Sequence, residues 1–180
     1  RLRKLVTEEK IGGILFLQGT LKDQVTITNK LQDLSEIPLL VAADFERGVG
    51  TRIEGSVEFP YNMALGAVND PNLAYMMGRV TAIEGRSIGV HQNFAPLMDV
   101  NHDHKNPIIN IRAYASDEDI ISAHGTAFIR GMQVENMLTT AKHFPGHGDT
   151  DVDSHQELPI INRSKSELEE SDLLPFKEAI

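Results

Sequence analysis

Pro38-Leu39-Leu40-Val41-Ala42-Ala43-Asp44-Phe45-Glu46-Arg47, residues 38–47, is an apolar run that ends abruptly in charge. Its six leading residues carry no polar side chain and are too few for a helix. They read as a strand buried on both faces, the habit of parallel sheets covered by helices. Asp44, Glu46 and Arg47 stand where that strand runs out. The pattern recurs along the chain. Ile11 to Leu17 reads as an earlier buried strand. His91 to Ala95 reads as a third, followed by Asp99, Asn101, Asp103 and Arg112. Leu138 to Ala141 reads as a fourth, followed by Lys142 and His143.

Helical segments lie between these strands. Leu21 to Leu34 predicts one, with Val25, Ile27, Leu31 and Leu34 as its apolar positions. Asp70 caps another with Pro71 in its first turn, and it runs through Leu73, Met76, Met77, Val80, Ile83 and Ile88. Ser116 is expected to cap a helix from Asp117 to about Val134. Ser164 and Glu167 form the signature of a capping box at the start of a final one.

Strands alternating with helices argue an α/β fold with a parallel sheet. Two architectures fit, an open doubly wound sheet and a (β/α)8 barrel. An open sheet gathers its site at one switch point. A barrel presents the C-terminal end of every strand to one site. Polar residues follow the second, third and fourth strands here, which favours the barrel. About four strand–helix units then make up the N-terminal half of a (β/α)8 barrel. Half a barrel leaves two bare sheet edges and an exposed apolar interior. The chain opens at Arg1 and stops in a helix-like segment at Ile180, so the remaining strands are expected beyond residue 180.

Composition narrows the classes. The net charge of −9 and the lack of a Lys/Arg cluster argue against a nucleic-acid partner. There is no Cys, which excludes disulfide scaffolds and Cys-based zinc sites. No apolar run approaches the roughly 20 residues of a membrane span. The absence of Cys suits any redox compartment, so compartment stays open.

Residues 142–155 read Lys-His-Phe-Pro-Gly-His-Gly-Asp-Thr-Asp-Val-Asp-Ser-His. Three His, three Asp and one Lys share an irregular segment with almost nothing apolar to bury, which is where chemistry usually sits. Asp153 and His155, two apart on extended backbone, face the same way and suit a dyad in which a carboxylate orients an imidazole. Such a pair can protonate a leaving oxygen and later activate water. A surface loop with a hydrogen-bonded Asp is the blander alternative. His143 and His147 lie four apart, but Pro145 and Gly146 between them oppose a helix. A metal site using them with Asp149 and His155 stays open, and a loop-structuring hydrogen bond is the first reading for His147. Asp44 suits a pair of adjacent sugar hydroxyls, or a cap. Arg47 and Arg52 are balanced between solvated and paired roles. Asp99 to Asn101 suit a turn. Arg112 offers a fork-shaped donor at the end of a polar loop.

Several stretches together resemble glycoside hydrolase family 3, in its bacterial beta-N-acetylglucosaminidase branch. They are Phe59-Pro60 with Met63 to Ala67, Glu84 to Gly89, Asn93 to Val100, Asn106 to Tyr114, and Lys142 to Gly148 with Asp153-Ser154-His155 and Leu158-Pro159. The match runs in order over nearly the whole chain. The resemblance implies a retaining exo-glycosidase that removes terminal beta-linked N-acetylglucosamine from cell-wall fragments or related glycans and needs no cofactor or metal. It implies that Asp44, Arg112, Lys142 and His143 hold the hydroxyls of the terminal sugar. By the same resemblance His155 is the acid/base on a mobile loop and Asp153 tunes it. The Asp nucleophile would lie beyond Ile180, so this chain alone is expected to be inactive. Asp44-Phe45-Glu46-Arg47-Gly48 departs from the family's commoner Asp-Gln-Glu-Gly-Gly, and Arg47 is expected to narrow the site or meet an acidic group. A phosphorylase or beta-glucosidase of the same family, a metal-dependent hydrolase and a non-catalytic glycan-binding domain are the competing readings.

Overall fold

The computed structural model describes residues 1–150 and 160–180. Four short strands, β1 (Gly13–Phe16), β2 (Leu40–Ala43), β3 (Gln92–Asn93) and β4 (Leu138–Thr139), pair in parallel in that spatial order. Leu15, Ala42, Gln92 and Leu138 lie in one register row, and Phe16, Ala43, Asn93 and Thr139 in the next. Spatial order equals chain order, with no reversal. A doubly wound sheet must reverse at its switch point, whereas a barrel adds each strand beside the last. The sheet is therefore wound the barrel way, as the residues behind the strands predict. A small parallel ribbon, Gly19–Thr20 against Ile53–Glu54, lies outside it.

Alternation along each strand sends side chains to two faces. Val41 and Ala43 enter the main core with Phe45, Val90, Phe128, Met132 and Met137. On the other face Leu15, Leu40 and Leu138 are 47%, 42% and 56% exposed. This is the bare apolar interior expected of half a barrel. Complete burial of a leucine is worth about 1.5–3 kcal/mol.

The helices are α1 (Leu2–Thr7), α2 (Leu21–Leu34), α3 (Asn62–Val68), α4 (Pro71–Ser87), α5 (Glu118–Gln133), α6 (Lys165–Glu170) and α7 (Leu174–Glu178). The bounds of α2 fall where predicted, but its buried face is Gln24, Thr28 and Leu31, and Val25 and Ile27 stay partly exposed. Gln24 donates to Thr28 at 3.2 Å, which lets polar groups occupy that face. Asp70 caps α4 and Pro71 opens it, as expected. Its buried stripe is Ala74, Met77, Gly78, Thr81, Ala82 and Gly85, whereas Leu73, Met76 and Ile83 are about half exposed. The reason is the closeness of α5. A Cβ on Gly78 would stand 2.4 Å from the Phe128 carbonyl oxygen, and one on Gly131 would stand 2.1 Å from that of Tyr75. Large side chains cannot fit between backbones that near.

The cap of α5 corrects the sequence reading. Asp117, not Ser116, accepts from the Ile120 amide. Ser116 instead donates to the Asn101 carbonyl at 2.7 Å and ties the loop after β3 to the start of α5. The capping box of Ser164 and Glu167 forms as predicted. The helices α1 and α3 were not anticipated as elements, and the final helix expected from Ser164 is broken into α6 and α7. No helix among the described residues is long and apolar enough to cross a membrane.

Candidate active site

The strand ends converge on five alternating charges. Asp44 leaves β2 with one oxygen 2.5 Å from Lys142 Nζ and the other 2.5 Å from Arg52 Nη2. Arg52 Nε also donates to the Asp44 carbonyl at 3.1 Å. Glu46, two residues on, receives Arg112 as a fork, with Nη2 at 2.5 Å and Nε at 3.0 Å. Lys142 Nζ bridges the two carboxylates, standing 2.8 Å from Glu46 Oε1. Arg112 Nη1 is spent on the Ile108 carbonyl at 2.8 Å. The two-residue spacing of Asp44 and Glu46 is what lets one ammonium serve both.

These side chains are largely buried, and each charge would be costly alone. Burial pushes the Glu46 carboxyl upward. Hydrogen bonds from Arg112, with the charges of Lys142 and Arg112, outweigh it and bring the pKa down to about 2. Burial opposes the charge of Arg112 too, and Glu46 more than compensates and raises its pKa. Glu46 and Arg112 are thus held in their charged states across the neutral range.

Lys142 continues beyond β4. It pairs with Leu97 across an isolated parallel bridge, and its carbonyl accepts from the Met98 amide at 2.7 Å. That pairing delivers His143 to Asp99, which is fully buried. Asp99 accepts from the His143 amide at 3.1–3.2 Å and the His147 amide at 2.8 Å, and meets His143 Nδ1 at 2.8 Å. With Nδ1 donating to this carboxylate, Nε2 is the ring nitrogen left for other partners. The sequence reading gave Asp99 a turn role. The structure shows a carboxylate that orients His143.

His147 is buried and structures its loop, as its first reading held. Its carbonyl accepts from Asn106 at 2.7 Å, and its Nδ1 meets Thr150 Oγ1 at 2.6 Å. A Cβ on Gly148 would come 1.6 Å from the Val100 carbonyl oxygen, so only glycine fits there. The His143 and His147 rings stand edge-on with centroids 6.1 Å apart. Among the described residues no three His, Asp or Glu side chains gather to hold a metal. Asp153 and His155 lie outside the described residues, and so does that arm of the metal reading.

The cleft bounded by these groups has a volume of about 460 Å³. Arg47 and Tyr61 form its far wall. The Arg47 guanidinium lies 4.1 Å from the Tyr61 ring centroid, pairs with Glu58 and donates to the Phe59 carbonyl at 3.0 Å. Larger grooves of about 910 and 970 Å³ lie between outer helices. They lack this convergence of buried charge, which is why the smaller cleft is the candidate.

Asp44, Arg112, Lys142 and His143, all anticipated, therefore meet in one place. Glu46 and Arg52 join them and were not in the anticipated set. Glu46 carried a signal, since it lies two residues past Asp44 on the same strand exit. Arg52 carried none beyond its charge.

The matches to known proteins are consistent along the chain. The model of the glycosyl hydrolase family 3 N-terminal domain matches residues 1–180. The beta-hexosaminidase A of Pseudoalteromonas piscicida is 35% identical over 99% of this chain and 32% of its own length. A family 3 beta-N-acetylglucosaminidase structure from Paenibacillus sp. str. FPU-7 superposes with a TM-score of 0.90 at 37% identity, covering 99% of this chain and 36% of that one. The beta-glucoside phosphorylase BglX superposes with a TM-score of 0.89 at 32% identity, covering 93% and 31%. The chain spans about a third of the length of these proteins. With a barrel-wound sheet, charged groups at successive strand ends and a full-length family match, this chain belongs to the glycosyl hydrolase family 3 N-terminal domain family.

Proposed function

We propose that the protein containing this chain is a retaining exo-glycosidase that releases terminal beta-linked N-acetylglucosamine. The observation that carries the reading is the Asp44–Lys142–Glu46–Arg112 network beside the Asp99-held His143, at the end where barrel enzymes keep their sites. Sugar hydroxyls both donate and accept. A cleft of fixed carboxylates, ammonium and guanidinium groups, with one oriented imidazole, can pair with each of them. Polar groups that no substrate hydroxyl satisfies cost binding energy, so such a site selects by hydroxyl pattern. Relatives named as a beta-hexosaminidase and a beta-N-acetylglucosaminidase support the choice of sugar.

In this reading Asp44, Arg112, Lys142 and His143 hold the terminal ring. Asp153 orients His155, which protonates the departing glycosidic oxygen and then takes a proton from the attacking water. A carboxylate from the barrel's remaining strands, beyond residue 180, forms the covalent glycosyl intermediate. The test is turnover of an aryl N-acetyl-beta-glucosaminide by the full-length protein and its His155→Ala variant. The expected loss is about a hundredfold. Equal activity of the two removes His155 from the mechanism.

A second reading keeps the site and changes the acceptor. The cleft is lined by Arg47, Arg52, Arg112 and Lys142, cationic side chains that can meet an anion, and one structural relative is named a phosphorylase. Added inorganic phosphate then yields sugar 1-phosphate in place of free sugar. Free sugar alone at saturating phosphate removes this reading.

A further inference from the structure

The five charges of the cleft form a chain, Arg52–Asp44–Lys142–Glu46–Arg112, with a cation at each end and each carboxylate between two cations. At one end Arg112 meets both oxygens of Glu46. At the other, Arg52 grips Asp44 differently. Its Nη2 reaches the carboxylate at 2.5 Å, while its Nε donates to the carbonyl of the same residue at 3.1 Å. One rigid fork therefore ties the side chain of Asp44 to its own backbone, and the carboxylate cannot turn without losing a bond. Lys142, a point charge on a flexible stem, holds the other oxygen but fixes no orientation by itself.

Arg52 is itself braced. Gly48, at φ 102°, swings the chain into the short turn Val49–Thr51, and the Arg52 amide closes that turn on the Val49 carbonyl at 3.0 Å. The Arg52 carbonyl accepts from the Gly19 amide at 3.1 Å, beside the ribbon that joins the loop after β1 to Ile53–Glu54. Ile53, next in the chain, is fully buried in the main core. The Arg52 side chain is left 31% exposed and lines the cleft beside Asp44. The ribbon, which takes no part in the main sheet, thus sets where Arg52 stands.

We propose that Arg52 is a positioning residue for sugar binding. It holds the Asp44 carboxylate in the orientation that meets a hydroxyl of the terminal ring, and the ribbon keeps Arg52 in place for that task. The inference rests on the reading of Asp44 as a sugar ligand. Each carboxylate oxygen accepts about two hydrogen bonds. With one cation on each oxygen, the lone pairs left for a hydroxyl point in fixed directions. Without Arg52 the carboxylate is free to rotate about its contact with Lys142. It keeps its charge but no longer selects where the hydroxyl lies. A purely structural Arg52 would instead weaken every contact of the site alike.

The experiment measures the affinity of the full-length protein for N-acetylglucosamine and a set of its mono-deoxy analogues, in the parent and in Asp44→Asn, Arg52→Gln and Arg52→Lys. Thermal midpoints are taken beside them. A hydroxyl bonded to a charged group is worth about ten- to a hundredfold in affinity. The analogue whose penalty shrinks selectively in Asp44→Asn identifies the hydroxyl that Asp44 accepts. Arg52→Gln should shrink the penalty for that same analogue by about tenfold and leave the others within about threefold. Arg52→Lys, which keeps the charge but not the fork, should shrink it too, by less. If Arg52→Gln leaves that penalty unchanged, or shrinks all penalties alike, Arg52 is only a structural brace and the proposal fails. If Asp44→Asn shrinks no penalty selectively, Asp44 is not a sugar ligand and the proposal falls with that reading. Should Arg52→Gln not fold, the pattern in Arg52→Lys decides in the same way.

Discussion

Replacing Glu46 by Gln in the full-length protein tests the charged network most directly. Gln keeps the volume and one acceptor but removes the charge that Arg112 and Lys142 share. The Glu46 carboxyl lies near 2 in the folded protein, against an ordinary 4.5. A depressed carboxyl pKa contributes stability that is complete above the ordinary value and is lost as pH falls toward the depressed one. The shift corresponds to about 3 kcal/mol. Linkage places about 2 kcal/mol of that loss between pH 6 and pH 3. Other carboxylates titrate in the same window, so the useful quantity is the gap between the parent and Glu46→Gln. Equilibrium urea unfolding at a series of pH values reads it. The gap should narrow by about 2 kcal/mol from pH 6 to pH 3, with little salt dependence, because the side chain is only 15% exposed. A gap that stays constant, or widens on acidification, refutes the reasoning that the ion pairs hold Glu46 charged.

Asp99→Asn should cut kcat/KM by about tenfold or more, because a neutral amide no longer fixes the donor nitrogen of His143. A steady-state assay checks this, with the thermal midpoint expected to fall only modestly. Gly148→Ala places a methyl where the Val100 carbonyl sits. It should destabilise by more than about 2 kcal/mol, read as a lower denaturant midpoint. Lys142→Met leaves Asp44 and Glu46 facing each other without their shared cation. Glycoside turnover should fall by about a hundredfold or more, and Lys142→Arg should restore it poorly, since a planar fork cannot occupy a point-charge site. A chelator should leave turnover unchanged, and its loss would revive a metal reading through His143, His147 and His155.

The first two strands were legible because they are nearly unbroken apolar runs, whereas β3 is the polar pair Gln92–Asn93; the polar residues behind Ala43 and Ala141 marked where strands opened onto the site. Helix faces were less legible. In α4 the large apolar residues looked like the core stripe, but α5 lies so close that only small side chains fit between them. Ser116 looked like a cap because its residue type caps well, yet it had a carbonyl nearer in space. The site divides the same way. Asp44, Arg112, Lys142 and His143 were singled out from the chain alone. The fork of Arg112 on Glu46 joins residues 66 apart in sequence, and no local pattern records it. Asp99 looked like a turn residue until the strand ends placed three donors around it.

The sequence by itself therefore determined the main alternation of strands and helices, its barrel-wise winding and the family, because these follow from apolar runs, caps, the polar residues behind the strands and local motifs. Tertiary structure alone decided which charges meet. The pairing of Asp44 with Lys142 and the burial of Asp99 both join residues from separate loops. Charges become strong and specific only when neighbours from distant parts of the chain exclude water around them.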